Sequence, residues 1–180
     1  MSAYGTSSLE AGEARRRAGR VALVLCDVDG VLTDGTVYYS EQGEALKRFS
    51  MRDGMGVERL RQARILTGLV SGERSPSVAR RAEKLGLELV YLGVKDKRAL
   101  LPAILARTAL DVSALAYLGD DHNDLGLLDA VGGPGLTGAP ADALPAVASA
   151  VHFRALRPGG SGAFRDFVEW LLSLRVGGAT

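Results

Sequence analysis

Short apolar runs alternate along the chain with longer segments in which apolar residues recur every three or four positions. Continuous apolar runs are typical of buried strands, and the periodic segments are typical of helices that bury one face. We predict strands at residues 21–26, 65–70, 89–92 and 114–118. The periodic segments predict helices at residues 57–63, 78–85, 97–106, 125–130, 141–148 and 163–174.

A second, smaller pattern lies between the first strand and the first helix. Residues 36–39 and 45–50 each predict a short strand, and the polar sequence Glu41-Gln42-Gly43-Glu44 between them is typical of a hairpin turn. We therefore predict a small β-hairpin flap at this point in the chain.

Alternating strands and helices favour right-handed crossovers and a mostly parallel sheet with helices on both faces. The predicted fold is α/β, a Rossmann-like three-layer sandwich without a cap domain, and a single domain over residues 21–174. Residues 1–20 are polar and predict a flexible tail, and residues 175–180 predict a C-terminal tail. The glycine- and proline-rich segment before residue 141 predicts a connection.

Composition narrows the possible partners. The 180 residues are 47% hydrophobic and 24% charged, with a formal charge of +1 from 22 basic and 21 acidic residues, so nucleic acid and anionic membranes are not expected partners. No apolar run approaches the roughly 20 residues that span a bilayer. The polar start lacks a signal core, and Cys26 is the only cysteine, which favours a cytoplasmic protein.

Three predicted strands run directly into polar clusters. The clusters are Asp27 with Asp29, Ser71 with Gly72, and the acidic segment 119–124. In open α/β sheets the ligand-binding groups collect beyond the carboxyl ends of the strands. We therefore expect the three clusters to meet at one edge of the sheet.

Clustered carboxylates repel one another unless a cation joins them, and Mg²⁺ is commonly held by one or two carboxylates with water and phosphate. Asp27, Asp29 and Asp120 therefore predict a magnesium site. An aspartate can also act as a covalent nucleophile that forms an aspartyl phosphate. A second aspartate two residues later points to the same side of an extended chain, where it can give and take a proton.

Ser71 is placed to donate to a phosphoryl oxygen, and Lys97 to neutralise charge on the phosphoryl group. Each residue alone also fits a structural role: turn chemistry for the two aspartates, a helix cap for Ser71 or for the cluster at Asp120, and a solvated side chain for Lys97. Together, in this order and after successive strands, they favour phosphoryl transfer.

The motifs "DVDGVLT" at 27–33, Ser71-Gly72, Lys97 and "GDDHND" at 119–124 resemble the four motifs of haloacid dehalogenase superfamily phosphatases. Residues 21–172 are similar to the capless phosphatases that act on 3-deoxy-D-manno-octulosonate 8-phosphate and on 2-keto-3-deoxy-nononate 9-phosphate. The supporting stretches are "DGTVYYSEQGEALKRFSMRDGMG", "AEKLGL", "LGDDHNDL" and "RPGGSGAFRDFVEWLL".

The resemblance implies a phosphomonoesterase in which Asp27 is the nucleophile and Asp29 the general acid and base. Ser71, Gly72 and Lys97 would bind the phosphoryl group. Mg²⁺ is the implied cofactor, and a small sugar-acid phosphate is the implied substrate.

The resemblance also implies the metal ligands and the assembly. Asp27, the backbone carbonyl of Asp29, and Asp120 would hold Mg²⁺, with Asp121 and Asp124 in support. Such enzymes are usually homotetramers, so we expect hairpins and neighbouring subunits to cover the site. The glycine-rich segment 157–162 would be mobile and would close over a neighbour.

The residues that set the substrate point in two directions. Glu73, Arg81 and Lys84 are similar to the nine-carbon type, which we favour, although an exposed charged helix would also explain them. The motif at Arg52 instead matches the eight-carbon type, so 3-deoxy-D-manno-octulosonate 8-phosphate is the alternative. Arg157 is a further candidate substrate-binding residue.

Two other classes of protein share parts of this pattern. A receiver domain also phosphorylates an aspartate near a lysine, but it lacks an acid two residues after that aspartate, where this chain has Asp29. A non-catalytic oligomerisation domain of the same fold is expected to lack Asp27 or Asp29, and both are present.

Overall fold

The computed structural model describes residues 2–176, which form nine strands and seven α-helices. The strands are β1 Gly5–Ser7, β2 Leu23–Cys26, β3 Tyr38–Ser40, β4 Gly43–Leu46, β5 Leu66–Ser71, β6 Leu89–Leu92, β7 Leu115–Leu118, β8 Leu136–Ala139 and β9 Phe153–Ala155. The helices are α1 Ala11–Arg20, α2 Met51–Gln62, α3 Pro76–Leu85, α4 Leu101–Thr108, α5 Leu125–Gly132, α6 Pro145–Ala150 and α7 Ala163–Val176.

Seven strands form one sheet in the order β1-β9-β8-β7-β2-β5-β6. All neighbours are parallel except β1, which is antiparallel to β9 at the sheet edge. β3 and β4 form a separate antiparallel hairpin, and residues 2–176 contain no cap domain. The predicted α/β sandwich with a hairpin flap is confirmed. Over the same residues, no helix is long and apolar enough to cross a membrane.

The sheet is buried on both faces because most side chains on either face of its central strands are apolar. In β2, Val24 and Cys26 join a cluster with α1, α2, α3 and α7. Leu23 and Leu25 join a second cluster with α4, α5 and α6 on the opposite face. The core thus lies in two layers, and the polar clusters predicted from the sequence follow the buried strands.

The prediction of a flexible tail over residues 1–20 is wrong. β1 pairs with β9, and α1 buries Ala14 and Ala18 against the domain. The helix begins at a cap, because the Glu10 carboxylate accepts hydrogen bonds from two backbone N–H groups of its first turn. Alanine gives the buried face of α1 little hydrophobic signal, so the segment looks polar in sequence.

The C-terminal prediction needs a smaller correction. Residues 175 and 176 continue α7, so the helix ends two residues later than predicted. The Arg175 guanidinium donates to the carbonyl of Ala18 at 2.9 Å and to that of Val21 at 2.7 Å, which ties α7 to the end of α1. The remainder of the predicted tail, 177–180, lies outside the described residues.

One strand, β8, occupies the region predicted as a connection, and a second, β9, follows the predicted helix 141–148, where no element was predicted. β8 and β9 extend the parallel sheet there, and α6 begins at Pro145 rather than at residue 141. Gly138 and Ala139 of β8 carry little strand propensity, and burial in the sheet overrides it. α4 begins at Leu101, so Lys97 lies in a turn before the helix and not in its first turn.

The glycine-rich segment 157–162, which the resemblance predicts to be mobile, is hydrogen-bonded within its own chain in the structure. Gly159 donates its backbone N–H to Asp142 Oδ1 at 2.9 Å, and Gly160 donates to the Val31 carbonyl at 3.0 Å. A Cβ on Gly159 would lie 1.9 Å from the carbonyl oxygen of Gly30, so only glycine permits this approach. The segment packs against the loop that follows β2 in its own chain.

Candidate active site

β2 lies between β5 and β7 at the centre of the sheet, and the loops at the carboxyl ends of these strands meet. The backbone N–H of Asp27 donates to the Leu118 carbonyl of β7 at 2.9 Å, which seats Asp27 at this edge. Gly30 follows with a φ of +93°, and a Cβ there would lie 2.0 Å from Asp120 Oδ2. Glycine therefore lets the loop after β2 close on Asp120.

Lys97 lies at the centre of the site and is fully buried. Its Nζ is 2.9 Å from Asp27 Oδ1 and 2.6 Å from Asp124 Oδ1. Burial alone would lower the pKa of Lys97, but the two carboxylates raise it above its ordinary value. The side chain is thus a fixed ammonium that neutralises part of the acidic cluster.

The Asp124 side chain is fully buried and accepts four hydrogen bonds. Its Oδ1 accepts hydrogen bonds from Lys97 and from the Tyr117 hydroxyl. Its Oδ2 accepts from the backbone N–H groups of Asp120 at 3.0 Å and Asp121 at 3.2 Å. With four donors on its two oxygens, Asp124 serves to fix the loop after β7 and the position of Lys97.

Asp27, Asp120 and Asp124 each place one carboxylate oxygen within 4.8 Å of the others. Burial, with repulsion from Asp124, raises the pKa of Asp27 to about 7. Burial, with repulsion from Asp27, raises the pKa of Asp120 to about 8. Asp120 Oδ1 is buried and has no hydrogen-bond partner among residues 2–176. Carboxylate oxygens are ligands that suit Mg²⁺, so this donor set fits a divalent cation.

Asp29 faces a different group of residues. Its Oδ1 pairs with Nζ of Lys47, and its Oδ2 lies 3.5 Å from the Ser71 hydroxyl. Its side chain is therefore not part of the acidic cluster around Asp120. Sequence reasoning missed Lys47, and nothing in the sequence distinguishes it from the adjacent Arg48.

A cavity of about 220 Å³ opens beside the carboxylates. Its lining consists of Asp27, Asp29, Gly72, Glu73, Val94, Lys95, Asp121 and Asn123. Ser71 is fully buried beneath it and accepts a hydrogen bond from the Glu73 N–H at 3.1 Å. Glu73 itself pairs with Lys95 at 2.9 Å, and both side chains are exposed. The cavity is polar and can accommodate a phosphate group.

The other candidate substrate-binding residues line different cavities of the same chain. Arg81 and Lys84 lie in a hollow of about 240 Å³ between α2 and α3, where Arg81 donates to the Ser50 carbonyl at 3.0 Å. Arg52 and Arg157 line a hollow of about 410 Å³ beside α7. Within one chain, the structure brings only Glu73 of these candidates to the carboxylates, because α3 carries Arg81 and Lys84 against α2.

No protein-family model matches the chain. The 3-deoxy-D-manno-octulosonate 8-phosphate phosphatase KdsC of Yersinia pestis is 36% identical over 157 residues, which cover 87% of this chain and 82% of that protein. The KdsC protein of Haemophilus influenzae is 37% identical over 158 residues, covering 88% and 86%. The crystal structure of the Moraxella catarrhalis enzyme of that name, with magnesium ion, phosphate ion and KDO, has a TM-score of 0.86 at 29% identity and covers 93% and 94%.

Proposed function

The chain belongs to the 3-deoxy-D-manno-octulosonate 8-phosphate phosphatase family of the haloacid dehalogenase superfamily, and we propose that it hydrolyses the terminal phosphate of that eight-carbon sugar acid. It is a Mg²⁺-dependent phosphomonoesterase, which rules out the receiver domain and the non-catalytic module. The observation that carries the proposal is the buried Lys97 between Asp27 and Asp124, beside the unpartnered Asp120 oxygen.

In the first half of the proposed reaction, a carboxylate oxygen of Asp27 attacks phosphorus and forms an aspartyl phosphate. The bond between phosphorus and the sugar oxygen breaks, and the carboxylic acid of Asp29 gives its proton to that oxygen. The phosphoryl oxygens are bound by Ser71, the backbone at Gly72, and Lys97. The sugar acid then leaves as a neutral alcohol at its former phosphate position.

In the second half, the Asp29 carboxylate takes a proton from water while the water oxygen bonds to phosphorus. The bond between phosphorus and Asp27 breaks, so inorganic phosphate leaves and both aspartates return to their starting states. Asp27, the Asp29 carbonyl and Asp120 would hold Mg²⁺, which when bound supplies positive charge against the phosphoryl oxygens. Asp124, and Asp121 beside it, would support this group by holding the loop.

The relatives support an eight-carbon substrate better than the nine-carbon substrate that the sequence favoured. Two relatives above 35% identity carry the name of the eight-carbon enzyme, and the Moraxella structure contains KDO. The nine-carbon acid stays a second candidate because Glu73 lies at the cavity, where that type was expected to carry glutamate. Four other candidate residues affect the choice between the two substrates only if a neighbouring subunit brings them to the cavity: Arg81, Lys84, Arg52 and Arg157.

A panel of sugar-acid phosphates tests the substrate. We expect kcat/KM to be highest for 3-deoxy-D-manno-octulosonate 8-phosphate, ahead of the nine-carbon 9-phosphate and of small sugar phosphates. Glu73→Arg should raise the ratio of eight- to nine-carbon kcat/KM by about tenfold, as one changed charge contact allows. Glu83→Arg, on the exposed side of α3, should leave the ratio unchanged. A higher kcat/KM for the nine-carbon acid in the unmodified enzyme would overturn the assignment.

We further propose that the enzyme assembles as a homotetramer in the cytoplasm. Large apolar side chains are exposed on the hairpin and on the adjacent start of α2: Tyr38, Tyr39, Leu46, Met51 and Met55. Large apolar side chains exposed in one region favour contact with another protein, and here a second copy would cover them. A single cysteine offers no internal disulfide, which suits the cytoplasm. Light scattering on the purified protein measures the assembly, and a monomeric mass would contradict it.

A further inference from the structure

The hairpin places a buried ammonium group against Asp29. Lys47 follows β4 directly, and its side chain is only 1% exposed. Its Nζ pairs with Asp29 Oδ1 and lies 4.0 Å from Glu44 Oε2. A buried charge is costly unless it is paired, so these two carboxylates fix where Lys47 can lie.

Glu44 is in turn fastened to the main domain. Its Oε1 accepts a hydrogen bond from the hydroxyl of Ser75, which also caps α3 by accepting from the Val78 N–H at 3.2 Å. Ser75 is only 2% exposed. A continuous polar chain therefore runs from the start of α3 through Glu44 and Lys47 to Asp29.

This chain gives the two oxygens of Asp29 different surroundings. Oδ1 is occupied by Lys47, while Oδ2 faces the Ser71 hydroxyl, which lies under the cavity proposed to hold the phosphoryl group. We propose that Lys47 is a positioning residue that holds Oδ1, so that Oδ2 is the oxygen that exchanges the proton with the leaving group and with water. This inference rests on the proposed function.

The proton balance is unchanged by this role. The proton on Asp29 Oδ2 passes to the ester oxygen as its bond to phosphorus breaks, and Oδ2 later takes a proton from the attacking water. Lys47 keeps all its protons and touches neither the sugar nor phosphorus in these steps. Its contribution is to stop the Asp29 carboxyl group from turning away from the leaving oxygen.

Leaving groups that differ in their need for a proton test the proposal. The sugar-acid phosphate releases an alkoxide that must be protonated as it leaves. p-Nitrophenyl phosphate releases p-nitrophenolate, which leaves as an anion. The rate of the first turnover is measured with enzyme in excess over substrate. In Lys47→Met, we expect the rate of sugar-acid release to fall about 10²-fold, the usual size of general acid catalysis. The first-turnover release of p-nitrophenol should fall by less than about threefold, since no acid is needed.

Further variants isolate the cause. Glu44→Gln should also slow release of the sugar acid more than release of p-nitrophenol, but by a smaller factor than Lys47→Met. This variant provides the test if Lys47→Met does not fold. Arg48→Met, next in sequence but paired with Asp34 outside the site, should match the unmodified enzyme. In the Asp29→Asn background, Lys47→Met should add little further loss, because coupled residues are not additive.

Equal losses with both leaving groups, or a full additional loss in the Asp29→Asn background, would overturn the role of Lys47. These results would leave the proposed function intact. If the unmodified enzyme with Mg²⁺ releases phosphate from neither the sugar-acid phosphate nor p-nitrophenyl phosphate, the proposed function itself fails. The two failures are therefore distinguishable.

Discussion

At the residue scale, Asp27 and Asp34 carry the same chemical group in very different surroundings. Asp27 is buried against Lys97, whereas Asp34 accepts the Thr36 N–H at 3.1 Å and pairs with Arg48 in an exposed turn. We expect Asp27→Asn to lower kcat for phosphate release by about 10⁴-fold or more, because an amide cannot form the aspartyl phosphate. Steady-state release of inorganic phosphate measures this.

Asp34→Asn is the matched control and should stay within about twofold of the unmodified enzyme, as surface changes usually do. Acid-quenched protein from the same reactions should carry phosphate in the unmodified enzyme and none in Asp27→Asn. Turnover retained by Asp27→Asn would show that another group attacks phosphorus.

The raised pKa values of Asp27 and Asp120 make stability depend on pH. In the folded protein, Asp27 keeps its proton up to a pKa of about 7 and Asp120 up to a pKa of about 8. In the unfolded chain, both carboxyl groups have a pKa near 3.8. The folded state therefore binds more protons between these limits, and the free energy of unfolding falls as pH rises from 3.8 to about 8. Asp53, whose pKa burial raises to about 6, acts in the same direction.

Mg²⁺ should reverse this trend, because it binds the ionised carboxylates of the folded state. We expect Tm in EDTA to fall between pH 5 and pH 8, and the increase in Tm on adding Mg²⁺ to be larger at pH 8 than at pH 6. Thermal unfolding monitored by circular dichroism measures both. A Tm that rises with pH in EDTA would show that the cluster is ionised without a metal.

At the element scale, the segment 157–162 determines how the loop after β2 is seated. In Gly159→Ala the new Cβ would meet the carbonyl oxygen of Gly30, which is backbone and cannot rotate away. We expect the free energy of unfolding to fall by about 1–3 kcal/mol, as in other overpacked sites. Because the loop carries Asp29, kcat/KM should fall by about 10²-fold, the effect of a displacement near 1 Å.

Gly19→Ala is the control, since no atom outside the adjacent backbone of α1 lies within 4 Å of a Cβ at that position. It should stabilise the protein by about 0.5–1 kcal/mol, because alanine favours the helix, and leave kcat/KM unchanged. Urea unfolding and kinetics on both variants complete the comparison. If Gly159→Ala keeps full activity and stability, the segment does not seat the loop.

Element prediction from sequence succeeded where large apolar residues form the strand and failed where small residues supply the burial. β2, β5, β6 and β7 lie within two residues of their predicted bounds because each contains several large apolar residues. β8 consists of Leu-Thr-Gly-Ala, and α1 buries only alanines, so neither produces a periodic signal strong enough to identify. Their places in the fold come from tertiary contacts that the local pattern does not encode.

At the scale of the whole molecule, the same limit applies to the site. The polar clusters at Asp27, Ser71 and Asp120 could be predicted because parallel topology brings strand ends together. Lys47 could not, since its approach to Asp29 depends on how the hairpin folds back, and that is fixed by Glu44 and Ser75. The sequence likewise does not determine whether Arg81 and Lys84 lie near the carboxylates. Within one chain, they line a different cavity.

The close approach of Gly159 to Gly30 joins two parts of the chain that are made at different times. Gly30 is made early, but the segment 157–162 that packs against its loop is made much later. Domains fold as units while the ribosome adds residues from the N-terminal end. A nascent chain that has exposed the carboxylates but not yet residues 157–162 therefore lacks a support for the loop after β2. We therefore expect the loop after β2 to reach its final position only after residues 157–162 have been made.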